Sequence, residues 1–121
     1  MVLISTNPAT SQEIKIYPEY SLDEIKNILS EAMDAQKRWS SLELDFRLEC
    51  ISHLSGVLKD RKREYALIMA NEMGKPILQA EAEVDKCVWL CDYYRQNAPK
   101  FLSDKLIDTE HYKSMVTIQP I

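Results

Sequence analysis

The chain has 121 residues, 45% of them hydrophobic and 28% charged, with a net charge of -4. That length suits one ordinary domain with a core, and the apolar share excludes intrinsic disorder, which takes far fewer such residues. The mild acidity argues against a nucleic-acid surface, which would be basic, and names no partner by itself.

The N-terminal run Met1-Val2-Leu3-Ile4-Ser5-Thr6 lacks a basic lead and is too short for a signal peptide, and no stretch has the apolar length of a bilayer span. No membrane partner is therefore expected. Val2 to Thr6 is β-prone and stops at Asn7-Pro8-Ala9-Thr10-Ser11, which has turn chemistry. Ile14-Lys15-Ile16-Tyr17 alternates apolar and polar residues, as a half-buried strand does. The two runs predict an N-terminal β-ribbon, which needs cover because an isolated strand pair is barely stable.

Ser21-Leu22-Asp23-Glu24 predicts a capping box, with Ser21 as N-cap and Glu24 reaching back to it. Leu22, Ile25, Ile28, Leu29, Ala32, Ala35 and Trp39 follow at helical spacing, with Trp39 read as a core anchor. Ser40-Ser41 interrupts the stripe and is expected to cap a second helix, with Glu43 and Asp45 in its first turn. That helix turns Leu44, Leu48, Ile51, Leu54 and Leu58 inward, then breaks or bends at the charge run Lys59-Asp60-Arg61-Lys62-Arg63. The pattern resumes through Tyr65, Ile68, Met69 and Met73.

Glu72-Met73-Gly74-Lys75-Pro76 is the clearest internal stop. Gly74 can take the left-handed conformation that closes a helix, and Pro76 suits the first turn of the next. Ile77, Ala80, Val84, Cys87, Cys91, Tyr94 and Ala98 then form a regular seam, which Pro99 weakens or ends. Phe101 to Asp108 is ambiguous, and Tyr112 to Ile118 suits a strand. The N-terminal ribbon is the only sheet partner the pattern offers this last strand, so it is expected at an edge.

The three cysteines, Cys50, Cys87 and Cys91, form no disulfide framework and indicate a reducing, cytoplasmic compartment. Cys87 and Cys91 stand four residues apart and could grip a metal, but no His or carboxylate is spaced to complete a tetrahedral set. Both lie on the seam, so they read as buried structural thiols, and Cys50 as an inert neighbour of its helix's apolar face. Neither His53 nor His111 has a Ser or Cys at triad spacing. Lys75 follows no Gly-rich phosphate loop, and a cation at a helix C-terminus has a structural reason. From the residues alone no catalytic, cofactor-binding or metal site is expected.

Asn7-Pro8-Ala9-Thr10, Trp39, Arg47, Glu72-Met73-Gly74-Lys75-Pro76, Ala80, Glu83-Val84 and Gln119-Pro120-Ile121, in that order, resemble the N-terminal part of the aldehyde dehydrogenase superfamily. Leu90-Cys91-Asp92-Tyr93-Tyr94 looks most like bacterial NAD- or NADP-dependent succinate-semialdehyde dehydrogenases. The resemblance implies an α/β fold of which this portion is mainly α-helical, with an N-terminal β-ribbon and a C-terminal edge strand. Residues 1–121 would form the N-terminal part of the cofactor-binding domain, and residues 112–121 would enter the oligomerisation strand of a homo-oligomer. It further implies oxidation of an aldehyde with NAD or NADP through a Cys thiolate, a preorganised oxyanion site and a Glu-activated water. None of Cys50, Cys87 or Cys91 occupies the nucleophile's motif, so those groups are expected outside this chain, which alone should be inactive and bind no dinucleotide. Some members hold a cation near the Asn-Pro turn, which here would involve Ser5 or Thr6 with Glu72. The alternatives are a stand-alone helical interaction module and a pseudo-subunit without catalysis.

Overall fold

The computed structural model describes residues 2–119. Its elements run β1 (Val2–Thr6), β2 (Glu13–Pro18), α1 (Leu22–Ser40), α2 (Leu44–Asp60), α3 (Lys62–Met73), α4 (Ile77–Leu102), β3 (Lys105–Ile107) and β4 (Ser114–Val116). The strands make two separate antiparallel ribbons, β1 with β2 and β3 with β4.

β1 and β2 pair from Val2 opposite Pro18 to Ser5 opposite Lys15, and a bulge then sets Thr6 opposite Glu13. The turn between them is fixed by Asn7, whose Oδ1 accepts from the N–H groups of Ala9 (2.9 Å) and Thr10 (3.3 Å). Ser11 takes a left-handed φ of 59° there. Every residue of β2 is exposed, so the alternation of Ile14 to Tyr17 does not mark a half-buried face.

The capping box at α1 forms as the sequence predicts. The backbone N–H and hydroxyl of Ser21 donate to Glu24 at 2.7 and 2.8 Å, and the Glu24 N–H donates to Ser21 Oγ at 3.3 Å. The apolar stripe of α1 is present, but none of its described residues is buried. Trp39 is 43% exposed, which corrects its assignment as a core anchor. Periodicity fixes which side of a helix is apolar, not whether another element lies against it.

Ser40 and Ser41 close α1 and do not open α2. Their hydroxyls donate backward to the carbonyls of Lys37 (3.0 Å) and Arg38 (2.8 Å), and Glu43 becomes the N-cap of α2 without a side-chain bond. The charge run at Lys59–Arg63 separates α2 from α3 as expected. Arg61 donates to both carboxylate oxygens of Glu64, at 2.8 and 2.5 Å.

The core lies where α2, α3 and α4 meet, and its buried members are small: Ala66, Ala80, Val84 and Ser55. Small side chains permit close helix contact, and the buried Ser55 hydroxyl is satisfied by donating to Asp92 Oδ1 at 3.0 Å. α4 continues to Leu102, three residues past Pro99, so the proline does not end it. β4 pairs with β3, with Lys105 opposite Val116 and Ile107 opposite Ser114, which corrects the expectation that only the N-terminal ribbon could partner the last strand. Three residues are too few for a strand period to show in the sequence. Each ribbon has two strands, so β4 does keep an unpaired edge. Of the segment 112–121 proposed for oligomerisation, Pro120 and Ile121 lie outside the described residues.

Candidate functional site

The best-defined constellation is the corner between α3 and α4. Gly74 adopts φ 69° and ψ 20°, and its N–H donates to the Ala70 carbonyl at 3.0 Å, closing α3. Pro76 stands one place earlier than predicted, as the N-cap of α4. Its φ of -55° suits a helix start, and its carbonyl accepts from Gln79 (2.9 Å) and Ala80 (3.0 Å). The N-terminal turn packs into this corner, where a Cβ added at Gly74 would stand 3.1 Å from Pro8 Cγ. Glycine is thus needed twice over, for its left-handed backbone and for the approach of Pro8.

Ser5 Oγ donates to Glu72 Oε1 at 2.9 Å, so the structure unites two residues of the candidate cation set. The contact makes the hydroxyl a donor to the carboxylate and joins β1 to the end of α3. Among the described residues no group of three or more His, Cys, Asp or Glu side chains could hold a metal ion. What this geometry does chemically is tether. Ion pairs extend the tether along α3 and α4: Lys75 with Glu83, Lys62 with Asp85 at 3.1 Å, and Arg63 with Glu81 at 2.6 Å. Lys75, read as a cation at a helix end, has Glu83 as its partner.

The thiols are distributed differently from the expectation of burial. Cys87 is exposed, while Cys50 and Cys91 are half-buried. Desolvation pushes the Cys91 thiol above its ordinary range, helped by the neighbouring Cys87 and Asp92. A nucleophilic cysteine needs the opposite shift, toward the thiolate. His53 borders a shallow depression on α2 beside Glu49 and Asp60. His111 lies in the β3–β4 connection, where its backbone N–H donates to Thr109 Oγ1 at 3.3 Å. Neither histidine is hydrogen-bonded to a thiol among the described residues.

A nicotinamide dinucleotide does not fit what is present. Its diphosphate calls for a glycine-rich turn from a parallel strand into a helix. The glycines here are Gly56, in the middle of α2, and Gly74, in the α3–α4 corner, and both ribbons are antiparallel. Two features escaped the sequence pattern. Asp92 faces the buried Ser55, and Arg47 keeps its Nε buried with no hydrogen-bond partner among the described residues. A carboxylate beside the apolar seam of α4 was the available signal for Asp92. Arg47 on α2 carried no signal beyond its place in the resemblance.

Comparison with known proteins gives one consistent result. The model of the aldehyde dehydrogenase family matches residues 2–121. The succinate semialdehyde dehydrogenase Sad of Escherichia coli (strain K12), which uses NAD(P)+, is 34% identical over 118 residues, covering 98% of this chain and 26% of that protein. Among solved structures, Gox0499 superposes with a TM-score of 0.95 at 23% identity, covering 100% of this chain and 27% of that one. The succinic semialdehyde dehydrogenase of Streptococcus pyogenes, solved with NADP+, gives 0.88 at 24% identity, covering 94% and 25%. These two structures bear on the fold alone. The chain spans about a quarter of the length of the curated relatives it matches.

Proposed function

Because this chain belongs to the aldehyde dehydrogenase family, we propose that it supplies the N-terminal part of the cofactor-binding domain of an NAD(P)-dependent enzyme that oxidises succinate semialdehyde to the acid. The observation that carries this reading is the family match across residues 2–121, joined to 34% identity with a succinate semialdehyde dehydrogenase. In this reading the nucleophilic thiol, the general base and the dinucleotide site come from sequence other than these 121 residues. The raised pKa of Cys91 and the absence of a glycine-rich cradle among the described residues support that division. The nicotinamide would accept hydride when bound; the residues here clad the domain that holds it. Their tethered corner fixes the N-terminal ribbon against α3, and the open edge of β4 offers a second copy of the enzyme a place to pair. No helix of the described residues is long and apolar enough to cross a membrane.

The test compares these 121 residues alone with the complete reading frame that contains them. Each is assayed for succinate-semialdehyde-dependent reduction of NAD+ and NADP+, followed by nicotinamide absorbance. The 121-residue chain is expected to show no turnover and to retain neither dinucleotide in equilibrium dialysis, and the complete product to turn over. Turnover by the short chain overturns the proposed division of labour. A complete product active only on other aldehydes overturns the substrate, and one inert toward every aldehyde overturns the function.

A further inference from the structure

Cys87 and Cys91 stand one turn apart in the continuous helix α4. Cys87 opens into a groove of about 310 Å³ between α3 and α4, lined also by Tyr65, Met69 and Val84, and Cys91 is half-buried. Residues four apart on a helix hold their Cβ atoms roughly 5–6 Å apart. A disulfide spans only about 3.5–4.5 Å between Cβ atoms, so a direct S–S bond requires α4 to distort. A bridging atom with two bonds to sulfur, each about 2.3 Å in zinc thiolates, closes that gap within a regular helix.

The surrounding donors decide which atom it is. Glu83, one turn before Cys87, is ion-paired with Lys75, and Asp92 accepts from Ser55. With no set of three or more His, Cys, Asp or Glu converging among the described residues, a tetrahedral zinc ion lacks ligands. A soft, thiophilic centre that needs two sulfurs and brings its own third substituent lacks nothing. We propose that Cys87 and Cys91 form a dithiol site that binds a monosubstituted trivalent arsenical across one turn of α4. In the reaction two S–H bonds and the As=O bond of R–As=O break and two S–As bonds form. Both protons leave with the oxygen as one water, and arsenic remains trivalent, so nothing is oxidised or reduced.

The purified full chain, reduced and freed of small thiols, is treated with one equivalent of phenylarsine oxide and weighed intact. A single adduct is expected that survives a large excess of 2-mercaptoethanol and is released by 2,3-dimercaptopropanol, because a chelated arsenical yields only to another chelator. Cys87→Ser and Cys91→Ser each abolish the monothiol-resistant adduct, and Cys50→Ser retains it. Tryptic digestion of the wild-type adduct places the arsenical on the peptide 87–95, a readout independent of how any variant folds. Loss of the wild-type adduct to 2-mercaptoethanol overturns the proposal, as does its location on any other peptide.

Discussion

Gly74 and Gly56 make a matched pair of experiments at the scale of single residues. Gly74 has φ 69° and Pro8 against its face, so Gly74→Ala should cost about 1–2 kcal/mol, the penalty of a left-handed L-residue. Gly56 lies inside α2 with nothing within 4 Å of an added Cβ, so Gly56→Ala should stabilise by about 0.5–1 kcal/mol. Urea unfolding midpoints check both, and shifts of the same sign would show that at least one of the two backbones is not as described. Glu24 gives a pH prediction. The Ser21 backbone N–H and then its hydroxyl hold the Glu24 carboxyl below its ordinary 4.5. Because the folded pKa is depressed, the stabilisation is full above the unfolded value and is lost as pH falls through the folded one. Glu64, held down by its bond to Arg61, adds a loss of the same sign. Stability should therefore fall on acidification below about 4.5, and Glu24→Gln should flatten that slope when unfolding midpoints are measured against pH.

Between elements, the Ser55–Asp92 bond joins α2 to α4 inside the core, and its two halves are unequal. Asp92→Ala strands a buried hydroxyl and should cost about 1–3 kcal/mol. Ser55→Ala leaves the half-exposed Asp92 to water and should cost less; thermal melts of the two variants read the difference. A reversed order would place the hydrogen bond outside the core. The ion pairs between α3 and α4 are partly solvated and contribute at most about 1 kcal/mol each. This scale also shows what the sequence made legible. Capping and corner signals are local, set by the residues that carry them, and Ser21, Glu24 and Gly74 behave as their chemistry dictates. The exposure of Trp39 and Cys87 depends on elements distant in sequence, about which periodicity carries no information, and β3 is too short to show a period. Pro99 is a different case, weakening α4 without ending it. Its missing N–H costs α4 one bond to the Arg95 carbonyl, a small loss in a helix running from Ile77 to Leu102.

For the molecule as a whole, apolar surface without cover is the governing fact. Leu22 and Leu29 on α1, Trp89 and Tyr94 on α4, and Ile4 and Ile16 on the ribbon are all more than 40% exposed. Exposed apolar surface of this kind on a free chain favours association. The isolated chain should therefore sediment as species heavier than the monomer, with the heavier fraction growing with concentration. A clean monomer at high concentration would show that these faces close on one another in solution.

The Ser5–Glu72 bond spans 67 positions of sequence, against 37 for the Ser55–Asp92 bond that joins α2 to α4. A knot tied across so long a loop must wait until α3 has its final turn and Gly74 has swung into place. The N-terminal ribbon should then be the last part to dock and the first to peel away. Its amide hydrogens should exchange with deuterium well before those of α2 and α4, and trimming Ser5 to alanine should hasten that release while the helical amides keep their pace.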